Sequence, residues 1–137
     1  MKLARVGLCR CVVAAALALA GPAAAHHSAA AFDQTKAVTL NGTVKEFRWS
    51  NPHSWIEIDV PNDKGSADKW GVEMTSPTYL VTAGFKSTTL KPGDKVKVVV
   101  RPLRSGEKGG LFVSITLPSG QVLGDRDPQF NPAPSKK

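Results

Sequence analysis

The sequence predicts an all-β fold with one short helix, in the order strand, strand, strand, helix, strand, strand. Three observations indicate this fold. Apolar and polar residues alternate in five short segments. Turn sequences rich in Pro, Gly, Asn and Asp separate these segments. A Ser-Pro pair typical of a helix start follows the third segment. Of the 137 residues, 112 remain after a predicted leader of 25, which is enough for one domain with a modest core.

The first three strands are predicted to form a meander. The first covers residues 38–49 and has apolar residues at alternate positions, with Gly42 as a candidate bulge or bend. The second, residues 55–60, shows the clearest alternation in the chain. A turn cluster follows it, and the third strand is predicted at residues 70–74.

A short helix and two further strands complete the predicted order. Ser76 and Pro77 match an N-cap followed by proline at the first helical position, where a missing N–H costs nothing. Gly84 is expected to end this helix. The fourth and fifth strands are predicted at residues 96–100 and 111–117.

Five strands with one helix after the third is the order of the OB-fold, a partly open Greek-key barrel. We therefore predict a five-stranded OB-like small barrel, since closure removes the exposed edges that a flat sheet would carry. An open five-stranded sheet packed on the helix is the alternative. Residues 26–124 are predicted to form the single barrel domain, and residues 125–137, which contain Pro and Lys, a flexible tail.

Residues 1–25 have the three parts of a signal peptide: basic residues, an apolar run at 11–20, and small residues before the cut. The run is shorter than the roughly 20 residues of a transmembrane helix. We expect an exported periplasmic protein with no transmembrane segment once the leader is removed. Its mature chain starts at His26 or, if cleavage falls one residue earlier, at Ala25. Both cysteines lie in the leader.

Removal of the leader also lowers the net charge. Its three basic residues leave 15 Lys and Arg against 11 Asp and Glu, so the charge falls from +7 to +4. Nucleic acid is not an expected partner outside the cytoplasm. The basic residues on and after the fourth strand are predicted to form a solvated edge, with acidic lipid headgroups or cell-surface polymers as further partners. These residues are Lys91, Lys95, Lys97, Arg101 and Arg104.

Three histidines are the candidate metal ligands: His26, His27 and His53. If His26 is the first residue, its amine and ring Nδ1 chelate one ion, and His53 or His27 adds an imidazole. If Ala25 is first, the amine, two backbone amides and His27 form a square-planar site. The first arrangement suits Cu(II) and the second Cu(II) or Ni(II), so copper is the expected cofactor.

Zinc is less suited, because the mature chain has no thiolates and few well-placed acids to close a tetrahedral shell. A purely structural interpretation of the histidines is also open. In that case His26 and His27 are a polar spacer beside the cleavage site, and His53 caps a turn.

Three tryptophans are the candidate partner-binding residues: Trp49, Trp55 and Trp70. OB-folds bind oligonucleotides and sugars on the face of their second and third strands, where these residues are predicted to lie. The more common role of such residues is core and rim packing. Trp55 falls on the polar face of its strand, two residues from His53.

The sequence shows no nucleophile constellation, so an enzyme is not the favoured interpretation. The mature chain has no cysteine and no Gly-x-Ser-x-Gly motif. Four carboxylates follow the strand alternation and are predicted to form an ordinary solvated face, namely Glu46, Glu57, Asp59 and Glu73.

Several short motifs are spread across the mature chain: His26-His27-Ser28, Phe32-Asp33, Gly42-Thr43-Val44, Phe47, Trp49, Asn51-Pro52-His53, Trp55, Ser76-Pro77, residues 90–94 and Gly109-Gly110. Together they resemble a family of small exported proteins of Gram-negative bacteria, classed as a domain of unknown function. The resemblance implies an exported small β-domain and no established activity.

Two functional hypotheses follow. The first is a periplasmic copper carrier or sensor in which His26 and His53 hold the ion, with His27 as a further ligand and Trp55 as a shield. The second is a metal-free binding or scaffolding module of the cell envelope, which uses its aromatic face for a sugar, peptide or protein.

Overall fold

Eight elements make up the fold of residues 28–125, which are the residues that this computed structural model describes. They are α1 (Ser28–Ala31), β1 (Val38–Arg48), β2 (Trp55–Pro61), β3 (Ala67–Glu73), α2 (Pro77–Thr82), β4 (Lys95–Pro102), β5 (Gly109–Thr116) and β6 (Val122–Gly124). Within residues 28–125, no helix has the length and apolar character needed to cross a membrane.

The first five strands close into a barrel. β1 pairs with both β2 and β4, β2 pairs with β3, and β4 pairs with β5, all antiparallel. A short parallel seam between residues 71–73 of β3 and 109–111 of β5 completes the circle. The order around the barrel, β1-β2-β3-β5-β4, with α2 between β3 and β4, confirms the predicted OB-like fold, and the open-sheet alternative is wrong.

Apolar residues at alternate strand positions form the core inside this barrel, as the sequence pattern predicts. Ile56, Ile58 and Val72 are buried on the inner side of the meander, and Val98 and Val100 face them from β4. The helix α2 begins at Pro77, as predicted, and contributes Leu80 to this core.

The structure adds two short elements, α1 and β6, to those predicted. β6 pairs with residues 114–116 of β5 and carries the buried Leu123.

The barrel also includes Asp125, which the sequence assigns to the tail. Asp125 is buried, and its backbone N–H donates to the carbonyl oxygen of Val113 (3.0 Å). The rest of the predicted tail and the predicted leader lie outside the described residues.

The strand β1 pairs with a different neighbouring strand in each of its two halves. Residues 38–43 pair with β4, whereas residues 43–48 pair with β2. The bulge in the β1–β2 ladder falls between Val44 and Glu46, and not at Gly42, the candidate from the sequence. Gly42 instead allows a close approach, because a Cβ there would lie 2.7 Å from the carbonyl oxygen of Asp59.

Replacing Gly42 with alanine should therefore destabilise the barrel. The new methyl group would push β1 and β2 apart, and such overpacking costs about 1–3 kcal/mol of unfolding free energy. Urea unfolding measures the change. Gly71→Ala is the matched control, because a Cβ there would meet nothing within 4 Å. Equal stability of the two variants would contradict the close approach at Gly42.

The basic residues of β4 do not form an edge. β4 lies between β1 and β5, and its residues 97–100 pair with both strands. Lys97 therefore stands in the middle of the sheet, whereas Lys95 pairs with β1 alone. Lys95 and Lys97 are exposed to solvent, as predicted, but the prediction that they belong to a sheet edge is wrong. The sequence pattern missed this position because strand order depends on non-local pairing.

Candidate functional site

The side chains of His53 and Glu73 lie within hydrogen-bonding distance of each other. The ring Nδ1 of His53 lies 2.6 Å from Oε1 of Glu73. The His53 side chain is 25% exposed and the Glu73 side chain 9%, so the carboxylate is buried and the imidazole covers it. The sequence predicts Glu73 on a solvated face, and the structure shows this prediction to be wrong.

Backbone contacts around the β1–β2 loop hold His53 in this position. The N–H of Ser54 donates to the carbonyl oxygen of Thr75 (3.1 Å), and the N–H of Met74 donates to that of Ser54 (2.9 Å). These bonds extend the β2–β3 ladder beyond the start of β2, so His53, the residue before Ser54, lies next to Glu73. The Ser50 hydroxyl closes the loop by donating to the carbonyl oxygen of His53 (2.9 Å).

The electrostatics of the pair reflect two opposing effects on Glu73. Burial raises the pKa of the Glu73 carboxyl, while the charge of His53 and its hydrogen bond act in the opposite direction, with burial the larger effect. When Nδ1–H of His53 donates to this carboxylate, the neutral imidazole carries its lone pair on Nε2. The pair therefore selects one tautomer of the ring.

A row of outward-facing residues extends from this pair around the barrel. Trp55 is opposite Glu73 in the β2–β3 ladder, and Arg48 is opposite Trp55 in the β1–β2 ladder. The guanidinium of Arg48 lies 5.9 Å from the Trp55 ring centroid. On the other side of the seam, Leu111 is opposite Glu73. Registered residues project to the same face, so Trp55, Glu73 and Leu111 are neighbours on the outside of the barrel.

The N-terminal segment covers Leu111. Phe32 and Leu111 are buried in a small cluster outside the main core, with Leu103 packed against them. Backbone bonds fix the segment there: Asp33 N–H donates to the carbonyl oxygen of Pro102 (2.8 Å), and Arg104 N–H donates to that of Ala31 (2.9 Å). The first described residues are thus attached beside the β3–β5 seam, to which Glu73 belongs.

The predicted ligands His26 and His27 lie outside the described residues, so the structure locates only His53 of the three. Across residues 28–125, no group of three or more His, Cys, Asp and Glu side chains is placed to hold a metal ion.

The three tryptophans do not share one face. Trp49 packs against the core and meets Phe47 edge to face, with ring centroids 5.6 Å apart. Trp70 is opposite Ile58, on the other face of the ladder from Trp55, and the ammonium of Lys108 lies 5.7 Å from its ring centroid.

Trp70 also lines a groove of about 330 Å³ together with charged residues of both signs. These include Lys45, Glu57, Asp59 and Lys69. Binding of a partner through the tryptophans stays a prediction, and the groove at Trp70 is where it would be tested.

The fold defines the chain as a small OB-like barrel protein with an added N-terminal segment and a sixth short strand. Residues 14–113 match a family of unknown function, DUF6152, and the chain belongs to this family. No curated protein matches the sequence.

Among solved structures, the mitochondrial single-stranded DNA binding protein Rim1 of S. cerevisiae is similar to this chain. The two sequences are 14% identical, and the TM-score is 0.45. The match covers 61% of this chain and 94% of that one.

Proposed function

We propose that this protein is a periplasmic copper-binding protein, a carrier or sensor, in which His53 and the N-terminal histidines hold Cu(II). The observation that carries the proposal is the contact between His53 Nδ1 and the buried carboxylate of Glu73 (2.6 Å). Metal-binding histidines nearly always donate their second ring N–H to a carboxylate, carbonyl or water. This contact fixes the ring orientation and makes Nε2 the more basic ligand.

The attachment of the N-terminal segment supports the participation of His26 and His27. Phe32 packs on Leu111, the cross-strand neighbour of Glu73. His27 precedes Phe32 by five positions, a length of chain that spans at most about 18 Å. A mature chain that starts at His26 would therefore keep His27 within that distance of Phe32, beside the β3–β5 seam to which Glu73 belongs.

The chemistry of these ligands favours copper. A terminal amine, its own imidazole and a second imidazole are nitrogen donors, and Cu(II) prefers tetragonal nitrogen coordination and leads the affinity order of divalent metals. Of the described residues, His53 would bind the ion and the carboxylate of Glu73 would orient its ring. Removal of the leader would therefore create the site, because only cleavage supplies the free amine.

Titration of the processed protein with Cu(II) tests the proposal. Trp55 is opposite Glu73, so bound Cu(II) should quench its fluorescence. We expect Glu73→Gln to weaken copper affinity by about tenfold or more, the usual effect of losing such an outer partner. His53→Ala should weaken it further.

Glu57→Gln is the matched control, because it also removes a carboxylate from the outer face. Glu57 contacts Arg48 and not His53, so its loss should leave copper affinity unchanged. Affinity unchanged in both His53→Ala and Glu73→Gln would refute the proposal. A second comparison uses a form with four extra residues before His26, so that neither His26 nor His27 is among the first three residues and no chelate with the terminal amine forms; copper should bind this form more weakly. Intact mass before and after copper addition establishes the terminus and the stoichiometry.

A further inference from the structure

A groove of about 530 Å³ lies away from the His53–Glu73 pair, on the outer surface of β1 and β4. Pro61, at the far end of β2 from Trp55, forms part of its wall, and Leu117 and Pro118 of the β5–β6 turn form another part. The groove and the candidate copper site are thus at opposite ends of β2.

The polar residues of this groove come from three adjacent strands in register. Lys95 is opposite Thr43, and Lys97 lies between Asn41 of β1 and Thr116 of β5. Because the two lysines are two positions apart on one strand, they project from the same face, with about 7 Å between their Cα atoms. All five residues line the groove, and no carboxylate is among the residues that line it.

The two lysines are not neutralised by the fold. Lys36, Lys45 and Lys108 each form an ion pair with an aspartate. By contrast, none of the ion pairs found between residues 28 and 125 includes Lys95 or Lys97. The Lys95 ammonium instead donates to the hydroxyl of Thr43 (2.8 Å), which holds it over the groove without cancelling its charge.

We propose that this groove binds a phosphate-bearing ligand. Two ammonium groups supply the charge, and the hydroxyl groups of Thr43 and Thr116 and the amide of Asn41 supply neutral donors to phosphate oxygens. The volume exceeds that of a phosphate group alone, so the body of the ligand contacts Pro61, Leu117 and Pro118. An acidic lipid headgroup and a soluble phosphate ester both have this chemistry.

Vesicle flotation and calorimetry test the groove in two arms. The first arm uses vesicles of phosphatidylglycerol mixed with phosphatidylcholine, compared with phosphatidylcholine alone. The second uses sn-glycerol 3-phosphate in solution. We expect binding in at least one arm, and we expect Lys95→Gln with Lys97→Gln to weaken it about 30-fold, the effect of losing two lysines near an anionic surface.

Lys64→Gln with Lys86→Gln is the matched control, because it removes the same charge from exposed positions outside the groove. Asn41→Asp keeps both lysines and adds a carboxylate beside Lys97, so it should also weaken binding. Binding to vesicles alone identifies a lipid headgroup, and calorimetric binding of glycerol 3-phosphate identifies a soluble ester. Equal losses in both lysine pairs, or no binding in either arm, would overturn the proposal.

Discussion

Replacing Phe112 with alanine should lower the free energy of unfolding by about 3–5 kcal/mol, the cost of deleting a large aromatic side chain from a packed core. Phe112 is fully buried on β5 and meets Phe85 edge to face, with ring centroids 5.8 Å apart. Phe85 belongs to the segment after α2, so this pair joins the helical connection to the barrel. Small domains have only about 5–15 kcal/mol of stability, so the loss is a large fraction of the total.

Urea unfolding of the variant and the parent gives the difference in free energy. Val122→Ala is the control, because Val122 is 64% exposed on β6 and its truncation should change stability by less than about 0.5 kcal/mol. A loss below about 1 kcal/mol for Phe112→Ala would contradict the packing described for the core.

Replacing Phe32 with alanine should detach the N-terminal segment from the barrel. Phe32 is buried against Leu111 and Leu103, and a buried phenylalanine contributes about 3 kcal/mol or more to the state that buries it. We expect the amide hydrogens of Asp33 and Arg104, which bond across this junction, to exchange about 100-fold faster. Hydrogen exchange followed by nuclear magnetic resonance measures this directly.

Tyr79→Ala serves as the comparison for this second experiment, because Tyr79 is a large aromatic residue on α2 that is 44% exposed. It should leave exchange at Asp33 and Arg104 unchanged. If copper binds as proposed, Phe32→Ala should also weaken copper affinity, since the terminal ligands would lose their tether. Unaltered exchange at both amides would show that Phe32 does not hold the segment.

The sequence predicts most of the barrel because each long strand carries its own pattern. Ile56 and Ile58 alternate with acidic residues, and the structure buries both. Ser76 and Pro77 likewise predict the start of α2 correctly. The patterns of β6 and α1 are too short to show a period, with three and four residues respectively. β6 is placed by its pairing with β5, and the end of α1 by the bond from Arg104 N–H to the carbonyl oxygen of Ala31.

The site is only partly predictable, and Glu73 shows why. Strand alternation places Glu73 outside the barrel, together with Glu57 and Asp59, and this part of the prediction is correct. Alternation does not reveal what covers the outside. The loop that carries His53 closes over Glu73, whereas Glu57 stays exposed. Hairpin register could have found the pair, because Trp55 opposite Glu73 puts His53 within diagonal reach.

The parallel β3–β5 seam sets the order in which the candidate site can assemble. The β1–β2–β3 meander alone brings His53 to Glu73, since both residues flank one hairpin. Phe32, by contrast, packs against Leu111. The seam that places Leu111 beside Glu73 joins residues 38 positions apart in the chain. Pairings of this kind form slowly, because loop-closure entropy opposes them. If copper binds as proposed, an ion held jointly by His53 and the N-terminus would therefore load only onto chains in which this seam has already formed.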